Sequence, residues 1–347
     1  MMNRWHVLKR LMPLLAGMVL LLSACGRADL STLRPQGPVA EEQYGLMKLT
    51  IWIMIGVVLV VFAIAVYVII RYRRRPGDKT IPVQVEGNHK LEIIWTVIPI
   101  ILLIILGVPT VKSVFGLAKD YTKDPAAIQV KVTAHQYWWE FEYPNLGVKT
   151  AQELLIPNDA VISIEAKTAD VLHSFWIPSL AGKTDTNPGG NVNIMYFKAP
   201  KTGVYLGKCA ELCGPSHSLM DFKVKVVDRA SFERWVAAMK NPVALPENQE
   251  IAELLNKQCL SCHAIGGNGG QIYPNLTGIG SRQSVAGILV NTDQAQYANE
   301  GTVEENLKRW LTNPQEVKPG TLMPKVDLTK EQVDAISKYL AGLKLEY

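Results

Sequence analysis

Cys209-Ala-Glu-Leu-Cys-Gly-Pro-Ser-His-Ser-Leu-Met220 places two thiols, an imidazole and a thioether at the spacing Cys-x3-Cys-x3-His-x2-Met. Soft sulfur and imidazole ligands suit copper, and a weak axial Met is typical of copper electron-transfer sites. A disulfide or a zinc half-site would use the two cysteines but leave Met220 without a purpose, because Met is not a usual zinc ligand. The stretch therefore favours copper.

The copper interpretation needs a second imidazole from elsewhere in the chain, because one is too few for a copper site of this type. His173, in Asp170-Val-Leu-His-Ser-Phe-Trp176, lies at a predicted boundary between a strand and a turn. Between residues 120 and 240, His173 and His135 are the histidines that lie outside the Cys209–Met220 stretch. Because a single type-1 copper needs only one Cys, the second thiolate favours a dinuclear site.

Composition divides the chain into a membrane-bound N-terminal third and a water-soluble remainder. The chain has 347 residues, enough for two or three units, and the apolar runs lie mostly before residue 116. A formal net charge of +5 is mild and gives no indication of nucleic-acid binding. The odd number of cysteines argues against a pure disulfide framework. His6, His89 and His135 are assigned structural or surface roles.

Residues 1–25 have the layout of a lipoprotein-type signal peptide. Three basic residues precede a short apolar core, Leu11–Leu22, and small residues lead to Cys25. The core is short for a membrane span, which needs ~20 residues. Leu22-Ser-Ala-Cys25 resembles the bacterial lipobox, in which the cysteine is lipidated. The alternative is an ordinary signal peptide with an incidental cysteine.

Residues 26–118 are predicted to form a transmembrane hairpin with spans at about 49–70 and 93–113. Both runs are nearly free of charge and long enough to cross the hydrocarbon core. The first ends in a cluster of arginines at 71–75, which the positive-inside rule places in the cytoplasm. Cys25 and everything after residue 115 then lie on the outer face of a bacterial plasma membrane.

Glu92 lies at the cytoplasmic edge of the second span. A carboxylate at a helix N-terminus interacts favourably with the helix dipole. Ionisable residues beside membrane spans also serve in proton pathways. The residues alone favour the first interpretation.

Residues 120–240 are predicted to form an all-β sandwich or barrel, because short strands are separated by Pro, Gly and Asn turns. The aromatic run Tyr137–Tyr143 is assigned to core packing, with an electron-relay or docking role as the alternative. A short helix, Ser231–Met239, and a linker, residues 241–247, follow. The predicted strands are Ile128–Ala134, Tyr137–Tyr143, Val161–Lys167, Val192–Phe197, Gly203–Lys208 and Phe222–Val227.

Residues 248–347 contain a motif for covalent haem attachment. A predicted helix, Glu250–Gln258, leads into Cys259-Leu-Ser-Cys-His263, in which the two thiols bind the haem and the imidazole is the proximal ligand. A redox dithiol is the rival, but it belongs beside a βαβ pattern, which the sequence lacks. Met323, ahead of a predicted helix at Lys330–Leu343, is the expected sixth ligand, and Met/His ligation favours an electron carrier.

Together these segments resemble subunit II of the cytochrome c oxidases, in the haem–copper oxidase superfamily, specifically the bacterial caa3-type form with a fused C-terminal cytochrome c domain. The resemblance also rests on Glu86–Thr96, the aromatic strand, Asp170–Trp176 and Lys183-Thr-Asp185. It implies a membrane-anchored multidomain protein. Its parts would be a two-helix hairpin, an all-β cupredoxin-like barrel holding a dinuclear CuA centre, and an all-α class I cytochrome c domain.

The resemblance also assigns individual residues. The Glu211 side chain would help to bind a magnesium ion shared with subunit I, and Glu92 would stand at the entrance of a proton pathway. Pro274 would buttress His263, and Trp310 would line the haem pocket. The implied copper ligands are His173, Cys209, the carbonyl oxygen of Glu211, Cys213, His217 and Met220.

By the same resemblance the chain is the electron-input subunit of a terminal oxidase, with subunits I and III as partners. A cytochrome c or a quinol–cytochrome c reductase would be the donor, and subunit I would reduce O2 and pump protons. Many relatives have Trp where Tyr137 stands, so the attached haem, and not an external cytochrome docked there, is expected to deliver electrons.

Three alternatives differ from this function. A quinol-oxidase subunit II lacks the copper ligands, and nitrous oxide reductase is disfavoured by the two membrane spans and by the absence of a second copper cluster in the sequence. A copper-trafficking protein or stand-alone membrane electron carrier would act without an oxidase partner.

Overall fold

The computed structural model describes residues 12, 13, 17, 26–74, 76, 77, 81, 83, 84 and 86–347. Cys25 and nearly all of the predicted signal peptide lie outside these residues, so lipidation stays a prediction. The described chain folds into a helical hairpin, a β domain and a C-terminal helical domain, in that order.

Two long helices form the hairpin. α1 spans Pro38–Arg71 and α2 spans His89–Leu117, and in the described part of the chain these two are long and apolar enough to cross a membrane. Pro38 suits the start of α1, where no intrahelical hydrogen bond is lost. The Asn88 side chain caps α2 by accepting hydrogen bonds from two backbone N–H groups of its first turn.

Both helices are longer than the predicted spans at 49–70 and 93–113, and their outer ends pack against the β domain. Val39 belongs to the β-domain core. Near the end of α2, the Tyr196 hydroxyl donates a hydrogen bond of 3.2 Å to the carbonyl oxygen of Gly116. Hydropathy identifies only the segment that faces lipid, so the ends that contact protein could not be predicted from it.

The β domain contains ten strands in two five-stranded sheets. The strands are β1 Ile128–His135, β2 Trp138–Tyr143, β3 Val148–Ala151, β4 Glu153–Pro157, β5 Ile162–Thr168, β6 His173–Trp176, β7 Lys183–Thr186, β8 Asn193–Phe197, β9 Gly203–Cys209 and β10 Asp221–Val227. One sheet has the order β3-β2-β1-β5-β8 and the other β4-β10-β9-β6-β7. β1 pairs with β5, and β4 with β10, in parallel, which places distant segments of the chain side by side.

Aromatic side chains fill the space between the two sheets. Trp139, Phe175 and Phe222 are fully buried, and the rings of Phe175 and Phe222 stack with centroids 4.7 Å apart. The buried Tyr143 hydroxyl donates a hydrogen bond of 2.7 Å to the carbonyl oxygen of Leu155. Large aromatic side chains bury much apolar area, so the aromatic run of β2 stabilises the domain.

Four strands have no counterpart in the prediction: β3, β4, β6 and β7. All five residues of β4 are buried, so the strand shows none of the alternation by which half-buried strands are identified. β7, Lys183–Thr186, is short and polar. Pairing with neighbouring strands, which local sequence does not encode, creates these elements.

The C-terminal domain is mainly helical. It is preceded by α3, which packs on the core of the β domain. The helices are α3 Arg229–Lys240, α4 Gln249–Gln258, α5 Val303–Thr312, α6 Pro314–Val317 and α7 Lys330–Gly342. Thr302 and Glu305 form a capping box at the start of α5, a helix that was not predicted. Short strands complete the domain: β11 Ala264–Ile265, β12 Asn268–Gly269, β13 Ser284–Val285, β14 Leu289–Asn291 and β15 Glu300–Gly301.

Candidate copper and haem sites

The fold brings the predicted copper ligands together at one end of the β domain. His173 begins β6, Cys209 ends β9, and the next loop carries the remaining residues up to β10. Cys209 Sγ lies 3.8 Å from Cys213 Sγ and 3.8 Å from His173 Nδ1. Antiparallel pairing of β6 with β9 sets Phe175 opposite Cys209, which brings His173 to the cysteine loop.

The other candidate ligands surround Cys213 and Cys209. Cys213 Sγ lies 3.6 Å from His217 Nδ1 and 3.8 Å from Met220 Sδ. Cys209 Sγ lies 3.3 Å from the carbonyl oxygen of Glu211. One linked cluster thus contains two thiols, two imidazoles, a thioether and a carbonyl.

Neighbouring groups hold the ligand side chains in place. His173 Nε2 lies 2.8 Å from Asp170 Oδ1, an interaction that leaves Nδ1 for the metal, as is usual where a carboxylate orients a ligating histidine. Trp139 Nε1 donates a hydrogen bond of 3.3 Å to the carbonyl oxygen of Met220. His173 and Met220 are fully buried, so this part of the site is closed to water.

The two thiols interact closely enough to affect each other's ionisation. A hydrogen bond between them lowers the pKa of Cys209 to about 3 and raises that of Cys213. The pair therefore carries one negative charge at neutral pH and retains one proton. Metal binding requires thiolates, so cations must displace that second proton.

The donor set fits copper. Thiolates, imidazoles and a thioether are the ligands that copper electron-transfer sites use. Among the described residues, His173, Cys209 and Cys213 form a buried group whose ligand atoms lie within 4.8 Å of one another. That group contains no carboxylate. A site for a hard cation such as magnesium would be expected to contain carboxylates.

A second site is a cavity of about 240 Å³ in the C-terminal domain. Its lining includes Cys259, Cys262, His263 and Met323. Apolar side chains from the core of this domain make up much of the remaining wall: Leu255, Leu276, Ile279, Val285, Leu307, Leu311, Ile336 and Leu340. An apolar cavity with a few placed polar groups is typical of a cofactor site.

The candidate axial ligands of this cavity are also held by neighbours. His263 Nδ1 donates a hydrogen bond of 2.7 Å to the carbonyl oxygen of Pro274, which leaves Nε2 for iron. Burial lowers the pKa of His263, which favours the neutral imidazole that metals bind. Trp310 Nε1 donates a hydrogen bond of 3.0 Å to Met323 Sδ. Pro274 thus contacts the candidate proximal ligand and Trp310 the candidate sixth ligand, and the residues present fit a covalently attached haem.

The cavity is also lined by residues of the β domain. Gln136 and Tyr137, in the turn before β2, and Trp138, the first residue of β2, form part of its wall. Gln136 Nε2 donates a hydrogen bond of 2.6 Å to the carbonyl oxygen of Cys213. A single side chain therefore joins the wall of the C-terminal cavity to the copper cluster.

Sequence reasoning missed three residues of these sites: Asp170, Gln136 and Lys318. Asp170 stands three positions before His173, a spacing that could have suggested the contact. Gln136 and Lys318 act between domains, and nothing in the local sequence indicates that. Lys318 Nζ donates hydrogen bonds to the carbonyl oxygens of Tyr137, at 2.9 Å, and Ala286, at 2.6 Å.

The side chains of Glu92 and Glu211, and Cys25, are the remaining predicted site residues. Glu92 is in the first turn of α2, where its Oε2 is 3.2 Å from Nδ1 of His89. The half-buried Glu211 belongs to the copper loop, but its carboxylate joins no metal-type cluster within the described residues. Cys25 lies outside them.

Three family profiles match successive parts of the chain. Residues 32–113 match the transmembrane domain of cytochrome c oxidase subunit II. Residues 146–227 match the periplasmic domain of the same subunit, and residues 249–344 match cytochrome c. The periplasmic and cytochrome c domains imply binding of copper, as CuA, and of haem c.

Curated relatives match nearly the full length. The chain is 47% identical over 367 residues to cytochrome c oxidase subunit 2 of Bacillus sp. (strain PS3), covering 99% of this chain and 100% of the relative. It is 45% identical over 371 residues to cytochrome c oxidase subunit 2 of Bacillus subtilis (strain 168), covering 100% and 99%. Quinol oxidase subunit 2 of Bacillus subtilis (strain 168) is 35% identical over 256 residues, covering 72% of this chain and 79% of the relative.

Proposed function

The chain belongs to the cytochrome c oxidase subunit II family, and from that membership we propose that it is the electron-input subunit of a proton-pumping terminal oxidase. It is anchored in the membrane by α1 and α2, with its soluble domains on the outer face, and it associates with subunit I of the complex. In the proposed order, electrons pass from a cytochrome c donor to haem c, then to CuA, then to subunit I, where O2 is reduced.

One observation carries the proposal: the haem cavity and the copper cluster are joined within this chain. Gln136 lines the cavity and donates its hydrogen bond to the carbonyl oxygen of Cys213. A copper-trafficking protein would not need a haem cavity next to its metal site. The arrangement supports relay of electrons between the two sites.

Cys209 and Cys213, as thiolates, would be the principal ligands of two copper ions. His173 and His217 would each bind through Nδ1, with Met220 and the Glu211 carbonyl as the weaker ligands. Asp170 keeps His173 oriented, and the closed aromatic core below the site excludes water. Such a site, when loaded, accepts and gives up single electrons with little rearrangement of its ligands.

The residues of the C-terminal cavity would bind haem through thioether bonds to Cys259 and Cys262. His263 and Met323 would be the axial ligands, and Met/His ligation favours an electron carrier over an oxygen-binding site. Pro274 fixes the tautomer of His263, and Trp310 holds the Met323 sulfur. Ligation of this kind agrees with O2 reduction in subunit I and not in this chain.

Three finer assignments belong to the same proposal. Glu92 would admit protons to a pathway in subunit I, since it stands at the cytoplasmic start of α2. The Glu211 carboxylate would bind magnesium only with ligands from subunit I. Cys25 would be lipidated. Subunit III as a partner, and a cytochrome c or a quinol–cytochrome c reductase as the donor, are proposed from the family resemblance.

The proposal is tested by spectroscopy of the purified full chain. We expect the electron paramagnetic resonance spectrum of mixed-valence, dinuclear copper together with the absorbance of c-type haem. Cys209→Ser should abolish the copper signal and keep the haem spectrum, and Cys259→Ser should do the reverse. An unchanged copper spectrum in Cys209→Ser would refute the copper assignment.

A stand-alone membrane electron carrier is the remaining alternative function. Purification of the chain from the native membrane distinguishes it from an oxidase subunit. The oxidase function requires co-purification with a large, haem-containing membrane subunit. Recovery of the chain alone, with both of its own cofactors bound, would favour the stand-alone carrier.

A further inference from the structure

The turn before β2 is covered by the C-terminal domain. Tyr137 is 3% exposed and Trp138 is 8% exposed, and both line the cavity that contains Cys259 and Met323. This aromatic turn is therefore closed to any external protein. On this side of the copper cluster, the C-terminal domain is the part of the chain that an external donor would meet.

Lys318 contacts the covered turn. Its side chain belongs to the C-terminal domain, and it is only 2% exposed. Its Nζ donates one hydrogen bond across the interface, to the carbonyl oxygen of Tyr137, and another to the carbonyl oxygen of Ala286. The carbonyl of Ala286 also accepts a hydrogen bond of 3.0 Å from Gln152 of the β domain. Lys318 thus connects the aromatic turn to a loop that the β domain already holds.

The loop that carries Lys318 also carries the candidate haem ligand Met323. Beside Lys318, the carbonyl oxygen of Pro319 accepts a hydrogen bond of 2.6 Å from Ser216 Oγ. Ser216 immediately precedes His217 in the copper loop. The loop that ends in the haem ligand is therefore bonded to the loop that carries copper ligands.

A lysine at this position is costly for stability. Burial disfavours its ammonium group and lowers the pKa of Lys318 to about 7, and a buried polar group costs free energy unless it is hydrogen-bonded. An apolar side chain of the same length would fill the space without that cost. The amine is therefore explained by the two carbonyl groups that it joins.

We propose that Lys318 is a positioning residue for electron transfer, an inference that rests on the proposed function. It holds the Met323 loop against the aromatic turn and the copper loop. It contacts neither the haem iron nor copper. Its effect is on the distance and orientation between the two sites. Small displacements of reacting groups reduce rates steeply.

The first test needs no variant. The purified full chain is treated with acetic anhydride, and acetylation of individual lysines is followed by mass spectrometry. Lys338, exposed on α7, is the reference. We expect Lys318 to be acetylated at least about tenfold more slowly than Lys338 in the folded protein. Added denaturant should remove this difference. Equal reaction of both lysines would overturn the proposal, because the interface would then be open in solution.

The second test measures electron transfer in the assembled oxidase. Haem c is reduced by a light pulse, and its reoxidation is followed together with reduction of copper. We expect Lys318→Met to slow this step by about tenfold or more, with both cofactor spectra unchanged. The matched variant Lys338→Met should keep the original rate. Lys318→Met with intact spectra and the original rate would overturn the proposal.

The two proposals fail in different ways. If the unmodified oxidase shows no electron transfer from haem c to copper, the proposed function fails. If the unmodified oxidase transfers electrons and Lys318→Met transfers them equally fast, only the role of Lys318 fails. If Lys318→Met does not assemble, the acetylation experiment on the unmodified protein decides.

Discussion

Ser216 Oγ donates a hydrogen bond of 2.6 Å to the carbonyl oxygen of Pro319. Ser216 precedes the candidate copper ligand His217, and Pro319 belongs to the loop that leads to the candidate haem ligand Met323. The ligand loops of the two candidate sites are thus joined by a hydrogen bond from a side chain to a backbone carbonyl. This contact places the C-terminal domain against the copper domain, as the proposed relay of electrons requires.

Met323→Leu should lower the reduction potential of haem c. Methionine as the sixth ligand raises the potential of a c-type haem, and leucine offers no ligand atom. A redox titration followed by haem absorbance measures the change. Met239→Leu, in α3 and remote from the cavity, is the matched control and should leave the potential unchanged. An unchanged potential in Met323→Leu would exclude Met323 as a ligand.

Gly207→Ala should destabilise the β domain. Gly207 lies in β9 opposite Phe222, and a Cβ atom there would clash with the ring of Phe222. Overpacking of this kind costs about 1–3 kcal/mol. Gly342→Ala is the control, because its Cβ would meet nothing within 4 Å. Thermal unfolding of the full chain should show a lower midpoint for Gly207→Ala alone, and equal midpoints would show that the core yields to the added methyl.

The fold could be predicted from sequence where its cause is local. Membrane spans follow from hydropathy, and alternating strands such as β1 follow from periodicity. β4 could not be found in this way, because all its residues are buried and only pairing with β10 makes it a strand. The same holds for the outer turns of α1, where Val39 packs on the β domain.

His135 should make stability depend on pH. Its ring stacks on Trp138, with centroids 4.1 Å apart, and Nε2 is buried with no hydrogen-bond partner in the described part of the chain. Burial lowers the pKa of His135 from 6.5 to about 4. The unfolded chain therefore binds the proton first, and stability falls as the pH drops from 6.5 towards 4.

His135→Phe keeps the stacked ring and removes the titrating group. Thermal unfolding of the full chain at several pH values between 7 and 4 should show a smaller loss of stability in this variant than in the unmodified protein. The same loss in both proteins would show that His135 does not titrate in this range.

Glu92→Gln should slow oxygen reduction without affecting electron input. If Glu92 admits protons to subunit I, its amide analogue cannot carry them. Oxygen consumption and proton uptake of the oxidase in vesicles should both fall, while electron transfer from haem c to copper keeps its rate. Glu86→Gln, before α2, is the control. Full turnover in Glu92→Gln would leave Glu92 as a residue that only interacts with the helix dipole.

The candidate ligands could be predicted from sequence because metal and haem sites need particular atoms at short spacings. Cys209, Cys213, His217 and Met220 stand in one run, and the chain offers few histidines that could complete it. The residues that couple the sites could not be predicted. Gln136 and Lys318 are ordinary polar residues whose role arises only when two domains meet.

The most direct test of electron input through haem c follows both cofactors during a single reduction of the complete oxidase by an external cytochrome c. Haem c should become reduced first, and its reoxidation should match the appearance of reduced copper, one electron for one. With Cys209→Ser, haem c should become reduced and stay reduced. Reduction of copper before haem c would contradict electron input through haem c. Reduction of copper in Cys259→Ser, which prevents haem attachment, at the rate of the unmodified oxidase would contradict it as well.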